Sequence, residues 1–162
     1  MSLKFPNIDP VVYTISVGDF DFSIRWYALS YIAGILIAWR LMLFFTKKRT
    51  LWGSTYQTIN SSLIENFMTY IILGIILGGR LGYVCFYQPV YFLNHPLEIF
   101  QIWTGGMSFH GGFLGVMLAT LLFSWKNSIP ILTVGDIVAV STPPGIFLGR
   151  IANFINGELW GK

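Results

Sequence analysis

Apolar residues in this chain gather into long blocks rather than the alternation of a half-buried strand. Four such blocks run from about Trp26 to Phe45, Leu63 to Tyr87, Met107 to Trp125 and Ile131 to Phe154. Each is long enough to cross roughly 30 Å of hydrocarbon as a helix. The pattern predicts an all-α integral membrane protein with four transmembrane helices in a single membrane domain, residues 1–162. Four crossings put both termini on the same side of the bilayer.

Between the blocks the polarity changes character. Residues 1–25 form an outer N-terminal segment in which Tyr13-Thr14-Ile15-Ser16-Val17 alternates and turns at Gly18-Asp19, the pattern of a short hairpin or an interfacial segment. Residues 88–106 hold Pro89, Pro96, Tyr91, Phe92, Phe100 and Trp103, a mixture suited to the headgroup level, so an arm lying on the outer surface is expected there. Lys47, Lys48 and Arg49 follow the first block and Lys126 the third, whereas 88–106 has no Lys or Arg. Cytoplasmic loops carry the excess of such residues, which puts the N-terminus outside. Asp9, Asp19, Asp21 and two prolines interrupt the first residues, so no cleaved leader is expected and insertion relies on the spans.

Composition agrees with the pattern. Of 162 residues, 54% are apolar and 10% charged, against roughly a quarter charged in a soluble domain. The net charge of +3 comes from scattered residues that positive-inside topology explains, which argues against a nucleic-acid partner. Cys85 is the only cysteine and falls inside an apolar block, where a buried, inert thiol is expected. His95 and His110 are the only histidines and no carboxylates cluster at ligand spacing, so neither a metal nor a cofactor is expected. Glycines at four-residue spacing, Gly74, Gly78 and Gly82, Gly111 and Gly115, Gly145 and Gly149, predict close helix packing. Pro143-Pro144 predicts a break in the fourth block, with Thr142 turned away from helical geometry and a freed carbonyl needing a polar neighbour.

Ionisable groups within apolar spans are costly, so their positions are informative. Arg40, Glu65 and Asp136 fall near inner ends and can reach the interface, whereas Arg80, His110 and Arg150 fall in the outer half. Glycines flank all three, leaving room for a ligand and for bare backbone N–H groups. An arginine at headgroup depth suits a phosphate, because its planar fork stays charged and donates parallel hydrogen bonds. Together these residues point to the handling of a phospholipid. Ser108 and His110 do not read as a hydrolytic pair, since positions two apart on a helix do not face each other.

The stretch GRIANFINGELWG beginning at Gly149 resembles the signature of the bacterial prolipoprotein diacylglyceryl transferases. The resemblance extends to Arg25-Trp26-Tyr27, to GGRLGYV from Gly78 and to GGMSFHGG from Gly105, in the same order, and covers essentially the whole chain. It implies transfer of the diacylglyceryl group of phosphatidylglycerol to the thiol of the lipobox cysteine of a prolipoprotein, the first step of lipoprotein maturation. It further implies a multi-pass protein of the bacterial cytoplasmic (inner) membrane, acting at the outer face.

On that resemblance Arg150 would hold the phosphate and His110 would take the thiol proton. Tyr27, Asn153, Asn156 and Glu158 would line the site, Gly161 would keep a turn tight, and Arg80 would touch the headgroup. Members of the family continue through further spans with a second His-Pro motif and another arginine, so this chain is expected to be the N-terminal portion of the usual length. The contrasting reading is a catalytically incomplete fragment, or a non-enzymatic module that binds lipid or anions.

Overall fold

The computed structural model describes residues 8–17, 20–48, 51 and 59–158. The Gly18-Asp19 turn, Arg49 and Gly161 lie outside the described residues. The chain divides into two compact units, Met1–Phe45 with Ile137–Lys162, and Thr46–Asp136.

The first unit opens with two antiparallel strands, β1 (Val11–Val17) and β2 (Phe20–Arg25), which realise the hairpin expected from the alternation and add a small sheet to a helical protein. Ile15 pairs with Phe22 and Thr14 with Ser23, whose hydroxyls lie 3.2 Å apart. The strand leads without a loop into α1 (Trp26–Thr46), tied back where Trp26 N–H donates to the Pro10 carbonyl at 3.2 Å. At the other end of the chain come α5 (Ile131–Ser141), which crosses the boundary between the units, and α6 (Pro143–Ile155). Gly34 of α1 meets Gly145 of α6, where an added Cβ on Gly34 would stand 3.0 Å from the Gly145 Cα.

The proline pair does divide α5 from α6, yet Thr142 keeps helical angles (φ −77°, ψ −36°), contrary to the sequence expectation. Its N–H and its Oγ1 both donate to the Val138 carbonyl, at 3.0 and 2.7 Å, which holds the residue in the helical turn despite the following proline. The chain from Ile131 to Ile155 therefore stays long and apolar enough to cross a membrane.

The second unit rests on α2 (Ser61–Phe86) and α4 (Phe109–Asn127). Asn60 caps α2 by accepting from Leu63 N–H at 2.9 Å, and Ser108 caps α4 by accepting from Gly111 N–H at 3.2 Å. Gly74, Gly78 and Gly82 lie backbone to backbone against Gly111 and Gly115, so a Cβ at Gly82 would stand 2.7 Å from the Gly111 Cα. Further along the pair, the Phe67 and Phe123 rings meet at a tilt with centroids 4.6 Å apart and are fully covered. Between the two helices runs the arm, with α3 (Pro89–Asn94) followed by 3₁₀ turns at Pro96–Phe100 and Ile102–Thr104.

Three helical stretches among the described residues are long and apolar enough to span a bilayer: α1, α2 and Ile131–Ile155. On α2 the residues one position before each packed glycine, Leu73, Leu77 and Leu81, are 51–58% exposed. An apolar surface flanking a glycine seam is what lipid as solvent demands. Cys85 is exposed rather than buried, because it lies on α2 outside the glycine contact with α4 within its unit. The glycines near Arg80 and His110 mostly serve contact rather than leaving open space, whereas Gly149 has nothing within 4 Å of a built Cβ.

Candidate functional site

In the first unit the residues of interest sit at the end of α6. Arg150 is exposed and, among the described residues, its guanidinium makes no hydrogen bond or ion pair. Asn153 is one turn further on, so the two side chains share a helix face. Ala152, fully covered, anchors the opposite face.

The helix then closes in a Schellman turn. Gly157 adopts φ +68°, its N–H donates to the Phe154 carbonyl at 3.1 Å, and the Glu158 N–H donates to the Asn153 carbonyl at 2.9 Å. This reversal folds the Glu158 carboxylate back over the helix end, where it accepts from Asn153 Nδ2 and Asn156 Nδ2, each at 3.4 Å. Asn153, Asn156 and Glu158 are thus brought together, with the two amides holding the carboxylate. Asn156 Oδ1 is buried without a partner among the described residues.

Gly157 was not among the residues singled out from sequence. The signal was present: Asn156-Gly157 directly after the last apolar residue of a helix is the composition of a left-handed C-terminal cap. Tyr27, in the first turn of α1, is half-buried and faces Tyr31, with hydroxyl oxygens 3.5 Å apart and ring centroids at 5.1 Å.

In the second unit His110 is the second residue of α4, two positions after the Ser108 cap. Its ring is exposed and meets Phe109 edge-on at 5.8 Å, and among the described residues it makes no hydrogen bond. Backbone N–H groups of a first helical turn lack intrahelical partners, so negative charge is favoured beside this imidazole.

Arg80 is placed differently from the headgroup contact expected of it. It is only 5% exposed. Nε donates to the Ile99 carbonyl at 2.8 Å and Nη2 to the Glu98 carbonyl at 2.6 Å. Nη1 donates to Gly105 and, at 3.2 Å, to Gly106. The guanidinium also lies over the Phe92 ring, 5.2 Å from its centroid. Four of its five N–H groups are therefore committed to the arm.

Apolar helices without protein cover and a helix end rich in polar side chains define a helical membrane protein that keeps an exposed arginine, an asparagine pair and a carboxylate together. A family model described as prolipoprotein diacylglyceryl transferase matches residues 12–162, and the chain belongs to this family. It is 54% identical over 160 residues to a phosphatidylglycerol–prolipoprotein diacylglyceryl transferase of Cereibacter sphaeroides, covering 99% of this chain and 79% of that one. Proteins of the same description from Roseobacter denitrificans and Caulobacter vibrioides are 50% and 49% identical over 99% and 98% of this chain. Of each of these two the chain spans 55%, about half the length.

Proposed function

We propose that the chain takes part in diacylglyceryl transfer from phosphatidylglycerol to the lipobox cysteine of a prolipoprotein. The observation that carries this reading is Arg150, a planar cation left open one turn from a fastened Asn153–Glu158 pair, within a chain whose relatives carry that activity in their names. In the reaction the thiolate sulfur bonds to the glyceryl carbon and the carbon–oxygen bond breaks. The electron pair leaves on the phosphate oxygen of glycerol phosphate.

Arg150 binds that phosphate and stabilises its growing charge. His110, whose ring is exposed, accepts the thiol proton as general base. Asn153, Asn156 and Glu158 orient headgroup hydroxyls, with Tyr27 completing the lining.

The same reading has four spans with the N-terminus and the chemistry at the outer face of the bacterial inner membrane, and the arm at headgroup level. Two observations support it. Helix α4 has 19 residues, roughly 28 Å of rise, although His110 and the Lys126-Asn127 end dilute its apolar character. Lys47, Lys48 and Arg49 follow α1 in sequence and Lys126 lies in the last turn of α4, whereas 88–106 has no Lys or Arg.

The test grafts this chain in place of the matching region of the Roseobacter denitrificans relative and follows label from phosphatidylglycerol to a lipobox peptide. Transfer is expected, and Arg150→Ala is expected to reduce it by about a hundredfold or more. Undiminished transfer by the variant would sink the role given to Arg150. No transfer by an inserted, folded graft favours the binding-module reading instead.

A further inference from the structure

We propose that Arg80 is a positioning residue for His110: it fixes the arm on α2, and so fixes how the chain enters α4. This rests on the role given to His110 above. Residues 95–108 form short 3₁₀ turns and irregular loop, which leave carbonyls without ladder partners. Arg80 gathers the carbonyls of Glu98, Ile99, Gly105 and Gly106 into one buried fork.

Neighbouring residues of α2 complete the bracket. The Gly79 carbonyl accepts from Ser108 N–H at 2.9 Å, which places the cap residue of α4 one peptide away from Arg80. Ser108 is 4% exposed and its hydroxyl holds Gly111 N–H. Gly106 has φ +80° and packs on the Tyr83 ring so closely that a Cβ would overlap it. The chain from Gly105 to Ser108 is thus held from both sides, and His110 leaves this joint two residues later.

No carboxylate neutralises the guanidinium among the described residues: the Glu98 side chain accepts from Tyr91 Oη, while only its carbonyl reaches Arg80. The fork is matched to carbonyl dipoles in four directions, a geometry the three-donor ammonium of lysine cannot reproduce.

The experiment uses Arg80→Lys in the graft described above, with Gly106→Ala as a second variant that disturbs the joint from the side of the loop while keeping the Arg80 guanidinium. Three quantities are read per folded molecule: hydrogen exchange at the Ser108 amide, carbethoxylation of His110, and kcat and KM for phosphatidylglycerol. Both variants are expected to speed Ser108 exchange, to alter the His110 modification rate, and to lower kcat by about tenfold to a hundredfold with KM unchanged.

A raised KM with unchanged kcat in Arg80→Lys would show lipid contact and overturn the proposal. So would unchanged Ser108 exchange, or an unchanged His110 rate beside faster exchange. Should the unsubstituted graft transfer nothing, the reading of the reaction fails, while exchange and carbethoxylation still decide whether Arg80 positions His110.

Discussion

Two arginines stand in similar sequence settings, Gly78-Gly79-Arg80 and Leu148-Gly149-Arg150, and end in opposite states. Arg80 is buried with four N–H groups on carbonyls, whereas Arg150 is exposed with none engaged among the described residues. The difference lies in what surrounds each side chain. Near Arg80 runs an irregular arm whose carbonyls need donors, and near Arg150 runs a regular helix whose carbonyls accept from its own backbone. Glycine neighbours and apolar flanks do not separate an arginine engaged by the protein from one left open. Spare backbone acceptors do.

The largest expected effects strike this contrast directly. Arg150→Ala should remove transfer while leaving membrane insertion and thermal stability in detergent unchanged, because among the described residues no hydrogen bond or ion pair is lost. Arg80→Ala should do the reverse first, leaving four part-buried carbonyls without their donor and lowering stability by at least about 1–3 kcal/mol, the cost of one unsatisfied buried group. Yield and melting temperature of the two purified variants check this. Equal losses of stability would erase the distinction.

The glycine seams sharpen the contrast at the next level. Gly115 of α4 lies on Gly74 and Gly78, so Gly115→Ala forces backbone against backbone and should cost about 1–3 kcal/mol. Gly149→Ala meets nothing within 4 Å and should be neutral or stabilising by roughly 0.5–1 kcal/mol through helix propensity. Unfolding in mixed micelles separates them. A Gly149→Ala variant that loses transfer at full stability would mean that the open space beside Arg150 is needed by substrate.

Much of this was legible in the chain, for physical reasons that differ between elements. Apolar blocks reported α1, α2 and the Ile131–Ile155 stretch almost to the residue, because a helix in lipid needs continuous hydrophobicity and little else. The hairpin was legible from alternation in Tyr13–Val17. The state of Arg80 was not, since it depends on carbonyls 18 to 26 positions away, which no local pattern records. Thr142 was misjudged because the rule for residues before proline omits a side-chain hydroxyl that bonds back to Val138. The helix end at Gly157 was written locally, in Asn156-Gly157, and passed over in favour of Gly161.

Gly157→Ala tests that turn with a smaller effect. At φ +68° a Cβ costs about 1–2 kcal/mol, and the expected response is a looser helix end with faster exchange at the Glu158 amide. If Glu158 matters because the turn holds it on Asn153, transfer falls severalfold. Unchanged transfer beside faster Glu158 exchange would show that the carboxylate acts without that restraint.

The smallest effect lies on the arm itself, at a group that shares a residue with the Arg80 fork without joining it. Tyr91 Oη donates to Glu98 Oε2 at 2.6 Å, and this hydrogen bond, followed by desolvation and the carboxylate's charge, raises the tyrosine's pKa above its ordinary 10.0. The folded value is the higher one, so the contribution of the link is complete below the ordinary value and is lost as pH rises through the raised one. A tyrosinate absorbance difference between the protein and its Tyr91→Phe variant should therefore appear at higher pH than for a free phenol, and Glu98→Gln should move it back. Because Arg80 grips the Glu98 carbonyl and not its carboxylate, Glu98→Gln should leave Ser108 exchange unchanged. Faster exchange in that variant would mean that the fork depends on the side chain's charge, and carbonyl supply would no longer explain why the two arginines differ.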